Sequence, residues 1–255
     1  MMEWRNVTAG YVGEPVLQNV NLSLPAGRII SLIGPNGCGK TTLLKTAARL
    51  LPVKEGEILL HGQNTAAFTR RELARRIAVL PQTRDVPDIS VNALVLHGRF
   101  PYLGWSRQPR PEDRELADQA MRQTGVWNYR TRSLRSLSGG ERQKAYLAMT
   151  IAQNADWLLL DEPTTYLDIN HQFEILKLIE QLQKQRKTIV MVLHDLGQAL
   201  RYSHHIVLMQ TGKIVSCGTP DTLFQSGLLQ KVFHVQPHRQ EKEKRPFYFF
   251  TPLSD

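Results

Sequence analysis

The chain has 255 residues, 42% of them hydrophobic, so it can bury a substantial core within one domain. Its two cysteines are far apart in sequence and offer no disulfide framework, and no apolar run approaches the roughly 20 residues that cross a bilayer. The 32 Lys and Arg residues exceed the 23 Asp and Glu residues by 9, a charge that attracts nucleotides, nucleic acids or anionic lipid without choosing among them. We expect a cytoplasmic chain with no signal peptide and no membrane span.

The first 80 residues read as strands joined by turns and short helices. Alternating apolar and polar residues over Glu3–Leu24 predict short antiparallel strands. The elements that follow are predicted to be a buried strand Ile29–Ile33, a helix Thr41–Leu51, a basic helix Thr69–Arg76 and a strand Ile77–Leu80.

The middle of the chain is predicted to be a helical insertion into this α/β core. Its helical patterns cover Val91–Leu96, Glu112–Thr124 and Gly140–Gln153. The core then resumes with strands at Trp157–Leu160, Thr188–Leu193, Ile206–Met209 and Lys213–Ser216 and helices at His171–Gln185 and Leu196–Tyr202. Alternating strands and helices indicate a mostly parallel sheet, and the charged stretch Gln240–Arg245 is expected to be solvated.

A glycine-rich loop lies between the predicted strand and the first long helix. Residues 34–41, Gly-Pro-Asn-Gly-Cys-Gly-Lys-Thr, fit the phosphate-loop pattern of glycine, four residues and then Gly-Lys-Thr. Such a loop closes backbone amides around phosphate oxygens, while Lys40 reaches the terminal phosphates and Thr41 offers a hydroxyl to Mg²⁺. An ordinary glycine turn is the alternative. The predicted ATP-binding residues here are Gly34, Pro35, Asn36, Gly37, Cys38, Gly39, Lys40, Thr41 and Thr42.

Two further motifs carry charge or free amides. The apolar strand Trp157–Leu160 ends in Asp161, predicted to hold Mg²⁺, and Glu162, predicted to polarise the attacking water. Ser138, Gly139 and Gly140 open a helix and predict a second anion site. Taken alone, each motif could be a helix cap.

These motifs, in this order, resemble the nucleotide-binding subunit of ATP-binding-cassette (ABC) transporters over nearly the whole chain. In that family the signature loop of one copy closes on ATP held by the other. The resemblance implies that Tyr11 stacks on adenine, Gln82 links metal, water and the membrane partner, and His194 senses the γ-phosphate. It further implies that Tyr166-Leu167-Asp168 crosses the dimer interface. Alone, Tyr11 and His194 are more often structural residues.

The resemblance also implies a fold. We expect a phosphate-loop α/β fold with a mostly parallel RecA-like core sheet, an antiparallel β subdomain and an inserted helical subdomain. The chain is then one ATP-binding domain, 1–255, in which 1–87 is the core with the β subdomain, 88–154 the helical subdomain with the signature motif, and 155–255 the remaining core and tail.

Two positions raise separate questions. Glu141 stands where the family usually has glutamine, which puts nucleotide affinity in doubt more than function, because an acid slightly weakens anion attraction at a helix start. Cys38 is either an inert small spacer or a thiol whose pKa is lowered at a helix N-terminus, in which case alkylation blocks ATP binding.

A narrower resemblance lies in residues 94–101, Leu-Val-Leu-His-Gly-Arg-Phe-Pro, and residues 161–172, Asp-Glu-Pro-Thr-Thr-Tyr-Leu-Asp-Ile-Asn-His-Gln. Both strings are similar to the ATPases of importers for ferric siderophores, ferric citrate, haem and cobalamin, although the first is also compatible with a merely packed helix and turn. The resemblance implies Mg²⁺ and ATP as cofactors and a peripheral position on the cytoplasmic face of the inner membrane. The implied partners are a second copy, two permease subunits docked around Gln82 and Asp88–Trp105, and, through them, a substrate-binding protein.

Two other classes remain open. A soluble cassette ATPase acting on DNA or ribosomes shares the motor, but usually carries coiled-coil insertions, zinc modules or tandem cassettes that this chain lacks. A phosphate-loop kinase leaves the signature loop unexplained. We therefore expect an iron-chelate importer ATPase with no nucleic-acid partner.

Overall fold

The computed structural model describes residues 1–11, 13–82, 85–104, 108–165, 167–241 and 246–253. These residues form two compact units, one of residues 1–67 with 188–255 and one of residues 68–187. The predicted division of the chain at residues 88 and 154 stays a prediction. No helix within the described ranges is long and apolar enough to cross a membrane.

The first unit begins with an antiparallel sheet and the phosphate loop. Its elements are β1 (Met2–Ala9), β2 (Leu17–Leu24), β3 (Ile29–Ile33), α1 (Lys40–Ala47), β4 (Val53–Leu60) and β5 (Gln63–Asn64). Strand β1 lies between β2 and β4, with Met2 opposite Leu24 on one side and Leu60 on the other. The antiparallel strands predicted for Glu3–Leu24 are confirmed by this sheet.

The second unit contains the helical segment and two strands. Its elements are α2 (Arg70–Ala74), β6 (Ile77–Leu80), α3 (Val91–His97), α4 (Pro111–Gln123), α5 (Gly139–Ala152), β7 (Trp157–Asp161) and α6 (Ile169–Lys184). Strands β6 and β7 are parallel, with Ile77 opposite Trp157. All five residues of β7 are buried, as expected of a parallel strand covered on both faces.

The first unit is completed by the last part of the chain. Its remaining elements are β8 (Thr188–Val192), α7 (Leu196–Tyr202), β9 (His205–Gln210), β10 (Lys213–Gly218), α8 (Pro220–Gln225), α9 (Leu228–Phe233), β11 (Val235–Gln240) and β12 (Phe247–Pro252). Strand β3 lies between β8 and β9 and is parallel to both, whereas β10 is antiparallel to β9. Strands β11 and β12 form a hairpin, which sequence patterning missed.

One predicted element needs correction, and one strand was missed. The helix predicted over Thr41–Leu51 ends at Ala47, because Arg49 adopts the left-handed φ of 54° and the Leu50 and Leu51 amides turn back to the Lys45 carbonyl. Strand β4 was absent from the sequence prediction. In the tail predicted to be solvated, Gln240 and Glu241 are exposed, although Gln240 also ends β11; residues 242–245 lie outside the described part of the chain.

Candidate functional site

The phosphate loop leaves β3 through glycines in conformations that other residues rarely adopt. Gly34 has a φ of 149° and Gly39, the residue before α1, a φ of 102°. A Cβ at Gly34 would lie 2.2 Å from the Met209 carbonyl oxygen, so the loop passes too close to β9 for any side chain there. The loop therefore needs glycine at Gly34 for space as well as for backbone freedom.

Lys40 is held inside this loop. Its side chain is 6% exposed, and Nζ donates to the Gly34 carbonyl at 2.7 Å and the Pro35 carbonyl at 2.9 Å. Because these acceptors belong to the loop itself, the ammonium points at the space that the loop encloses, as a phosphate ligand requires. Thr41 follows as the second residue of α1 and is half-buried.

Cys38 is packed within the loop. It is 4% exposed, and its Sγ lies 3.7 Å from Lys40 Nζ. A Cβ at Gly34 would come within 2.7 Å of the same sulfur. The contacts agree with a small spacer, while reactivity of the thiol stays a prediction.

Two further predicted residues belong to the first unit. His194 is exposed and follows β8, whose end is tied to β3 by the Leu193 amide donating to the Leu32 carbonyl at 3.3 Å. Since parallel strands β3 and β8 end at one edge, His194 and the start of the phosphate loop share that edge. Tyr11 is 48% exposed, and Lys45 Nζ donates to its hydroxyl at 3.1 Å.

The carboxylate pair lies in the second unit at the end of β7. Asp161 is 4% exposed, whereas Glu162 is half-buried and adopts a φ of 54°. Gln82 Nε2 donates to Glu162 Oε1 at 2.7 Å, and Thr165 Oγ1 donates to the other carboxylate oxygen at 3.0 Å. Because β6 and β7 are parallel, the structure brings Gln82 and Glu162 together at one strand edge, and both Glu162 oxygens have fixed partners.

The signature loop caps the N-terminus of α5. Ser138 Oγ accepts from the Glu141 amide at 3.3 Å, and the Ser138 amide donates to Glu141 Oε2 at 2.8 Å. This is a reciprocal capping box, so Glu141 has a structural role that glutamine could also fill. The Ser138 amide lowers the pKa of the Glu141 carboxyl, and the hydrogen bond to Glu141 raises the pKa of Tyr129. Gly139 and Gly140 occupy the first turn.

The predicted interface loop precedes α6. Asp168 is the N-cap, accepting from the His171 amide at 2.9 Å and lying 2.9 Å from His171 Nδ1. The His171 amide is the main cause of the lowered pKa of Asp168. Leu167 is buried, and Tyr166 lies outside the described residues.

The predicted magnesium ligands present oxygen donors, which suit this hard cation. Thr41 lies in the first unit, and Gln82 and Asp161 lie in the second. Within the described part of the chain, no three His, Cys, Asp or Glu side chains cluster as a metal site. Mg²⁺ at nucleotide sites is commonly held by one or two carboxylates and substrate phosphates, so the oxygen chemistry of each of these residues suits it and a cluster of three such side chains is not required.

Sequence reasoning missed two residues that hold the predicted ones in place. Thr165 binds Glu162, and its position three residues after the acid is a usable signal, because such spacing suits a turn. Tyr129 contacts Glu141 from a distant 3₁₀ turn, Trp127–Tyr129, and no local pattern predicts that contact.

Comparison with known proteins agrees with the predicted family and fold. The family model described as ABC transporter matches residues 17–165, more than half of the chain. The achromobactin transport ATP-binding protein of Dickeya dadantii (strain 3937) is 42% identical over 233 residues, covering 91% of this chain and 87% of that protein. The ferric enterobactin transport ATP-binding protein of Escherichia coli (strain K12) is 41% identical over 232 residues, covering 90% and 86%.

A solved structure supports the same fold. A metal-chelate type ABC transporter in an inward-facing conformation aligns with a TM-score of 0.84 at 28% identity, covering 99% of this chain and 97% of that one. The predicted fold class, α/β with largely parallel core strands and an antiparallel β subdomain, is confirmed.

Proposed function

We propose, from the premise that this chain belongs to the ABC transporter family of ATPases, that it powers the import of an iron chelate across a cell membrane. The cargo is a ferric siderophore or ferric citrate, with haem and cobalamin as the alternatives for the same motor. The observation that carries the proposal is the similarity of at least 90% of the chain to ATP-binding proteins named for achromobactin transport and ferric enterobactin transport.

The site residues divide the work on ATP. Lys40 and the phosphate-loop amides bind the phosphates, and Tyr11 stacks on adenine. Mg²⁺ held by Thr41, Gln82 and Asp161 would neutralise charge on the phosphates.

Glu162 is the group that activates water. Its carboxylate accepts the proton of the attacking water, and its orientation is set by Gln82 and Thr165, which bind one oxygen each. A carboxylate whose two oxygens are both held by hydrogen bonds needs little reorientation to reach the transition state, so the free-energy cost of positioning it is small. His194 senses the γ-phosphate from the first unit.

Two copies complete the motor. We propose a head-to-tail dimer in which Ser138, Gly139 and Gly140 of one copy contact ATP held by the other. The start of α5 suits this role because its first-turn amides carry the positive end of the helix dipole. The single-domain organisation over 1–255, with a helical subdomain at 88–154, belongs to this proposal.

Two permease subunits dock on the second unit at the cytoplasmic face of the inner membrane, and a substrate-binding protein acts through them. Phe100, 56% exposed, lines a pocket of about 310 Å³ together with Arg71, Leu103 and Gly104. An exposed aromatic side chain beside an open pocket suits a protein partner. Phe100, Leu103 and Gly104 lie within the predicted docking segment Asp88–Trp105, whose last residue is outside the described residues, and Arg71 lines the pocket from α2.

Substitution of Glu162 by Gln tests the motor. Glutamine has the same shape: its carbonyl oxygen still accepts from Gln82, and its amide can donate to the Thr165 hydroxyl. We expect ATP turnover to fall by about 10²–10⁴-fold while ATP binding and the unfolding midpoint are kept. Glu112→Gln, at an exposed residue of α4, is the matched control. Normal turnover in Glu162→Gln contradicts the assigned role.

Co-purification tests transport. The chain is co-expressed with candidate permease pairs of iron-chelate importers, and we expect a stable complex with one pair whose ATP turnover rises when the iron-loaded binding protein is added. Binding to neither permease, together with tight binding to duplex DNA that weakens steeply with salt, would favour a soluble cassette ATPase instead.

A further inference from the structure

We propose that Arg99 is a positioning residue that fixes the 3₁₀ turn Phe100–Tyr102 to the far end of the signature helix α5, so that movement of this turn moves the signature loop. The inference rests on the proposed function, because the turn belongs to the surface assigned to the permeases. It gives a role to the string 94–101, which is otherwise compatible with a merely packed helix and turn.

Arg99 is buried and its charge is paired. It is 5% exposed, and its Nε donates at 2.9 Å to Oδ1 of Asp113, which is 4% exposed. The other oxygen of Asp113 accepts from the Arg110 amide at 3.1 Å at the start of α4. A buried charge without such partners is strongly unfavourable, so the position of Arg99 relative to α4 is narrowly defined.

The same guanidinium binds the end of α5. Arg99 Nη1 donates to the Ala152 carbonyl at 2.8 Å and to the Gln153 carbonyl at 3.3 Å. Residue Ala152 ends the helix and Gln153 caps it, so these carbonyls have no partner in the helix ladder and carry its negative end. Ser138 is the N-cap at the opposite end of the same helix, about 20 Å away for 14 residues.

The guanidinium also stacks on the turn that it anchors. Its Cζ lies 3.9 Å from the centroid of the Tyr102 ring. One planar group thus contacts the turn, α4 and the C-terminus of α5 together. Lysine cannot reproduce this arrangement, because its ammonium lacks the planar fork and the stacking face.

Backbone packing joins the same elements beside Arg99. A Cβ on Gly98 would lie 2.2 Å from the Met149 carbonyl oxygen and 3.2 Å from the Gln153 amide nitrogen. The end of α3 therefore meets the last turns of α5 with no side chain between them. Contacts this close transmit displacement, because packed interiors compress little.

The start of α3 is joined to the segment that leads into the signature loop. The Val91 amide donates to the Arg132 carbonyl at 3.0 Å, and the Asn92 amide to the Arg130 carbonyl at 2.9 Å. A third bond runs from the Leu134 amide to the Ile89 carbonyl at 3.0 Å. Helix α3 is thus bonded to the segment that precedes the signature loop. Arg99, which follows α3, binds the C-terminus of α5 on the other side of that loop.

Hydrogen exchange of the purified full chain tests the positioning without any permease. The variants are Arg99→Met and Arg99→Lys, with Arg114→Met, an exposed arginine of α4, as the matched control. We expect Arg99→Met to speed exchange of the hydrogen-bonded amides of residues 141–143 by about tenfold, as the loss of a charge-assisted hydrogen bond implies. Arg99→Lys should give a smaller increase, and Arg114→Met none. Faster exchange confined to residues 97–103 and 152–153 overturns the proposal.

The complex with the permeases tests whether Arg99 contributes to the coupling between permease and ATPase. We measure the ratio of ATP turnover in the complex to turnover of the chain alone, and compare Arg99→Met with Leu176→Ala, a fully buried α6 residue whose loss also destabilises the unit. Arg99→Met should lower the ratio by about tenfold and Leu176→Ala should keep it. An unchanged ratio in Arg99→Met overturns the coupling role. If no permease stimulates the wild-type chain, the import proposal fails, and hydrogen exchange still decides the role of Arg99.

Discussion

Substitution of Gly34 by Ala should destabilise the folded chain, because the added Cβ meets neighbouring atoms of the phosphate loop and of β9. The added Cβ would lie 2.2 Å from the Met209 carbonyl oxygen and 2.7 Å from Cys38 Sγ. Ordinary contacts of a Cβ begin at about 3.4 Å, so either the loop or strand β9 must move by about 1.2 Å (3.4 minus 2.2). The φ of 149° is in addition unfavourable for alanine.

A matched substitution in the same loop separates these two costs. Gly37 has a φ of 76°, and a Cβ there has no neighbour within 4 Å. Gly37→Ala should therefore cost only the left-handed backbone, about 1–2 kcal/mol. Gly34→Ala carries a similar backbone cost and adds overpacking of about 1–3 kcal/mol, a total of about 2–5 kcal/mol.

The assay is urea unfolding of each variant without nucleotide, followed by fluorescence and circular dichroism. We expect the urea midpoint of Gly34→Ala to fall clearly below that of Gly37→Ala, and both midpoints to lie below that of the wild type. Equal midpoints for the two variants would refute the steric argument, because they would show that β9 does not confine the loop at Gly34.

Three further substitutions follow from the second unit. Glu141→Gln keeps the capping box and removes one negative charge near the N-terminus of α5. ATP-driven association of two copies, measured by sedimentation, should therefore tighten by about two- to fivefold. An unchanged association constant would contradict this. Thr165→Val removes one of the two bonds that orient Glu162 and should lower kcat by about tenfold with little change in KM; steady-state kinetics that show only a KM effect would exclude an orienting role. Gly98→Ala should lower the free energy of unfolding by about 1–3 kcal/mol, measured against Gly104→Ala, where an added Cβ meets nothing within 4 Å; equal losses would contradict the close approach of α3 and α5.

Much of the fold was predictable because local patterns coincide with buried strands. The run Ile29–Ile33 is apolar except for Ser31 and is followed by glycine, and it forms β3 over those same residues. Strand β4 was missed because its first four residues are largely exposed and polar, and it is stabilised by pairing with β1, about 50 residues earlier in the chain. Such pairing leaves no local signal.

The predicted site residues were found by motif, but their contacts were not. Glu162 was predicted from its place after an apolar strand and Gln82 from the family resemblance alone. Only the parallel pairing of β6 with β7 places Gln82 Nε2 2.7 Å from Glu162 Oε1. The role of Arg99 was equally hidden, since Asp113 and Ala152 lie on other helices. Side-chain partners across elements depend on packing, which one sequence does not specify locally.

The central claim is that ATP hydrolysis by this chain drives import of an iron chelate. The most direct measurement is ATP-dependent accumulation of a ferric siderophore by membrane vesicles that contain the permease pair. Wild-type chain or Glu162→Gln is supplied on the cytoplasmic side and the iron-loaded binding protein on the opposite side. We expect accumulation with the wild-type chain and a loss of about 10²-fold or more with Glu162→Gln, in line with the loss of a general base. Equal accumulation with both chains, or none with an ATPase-active wild-type chain bound to its permeases, would contradict it.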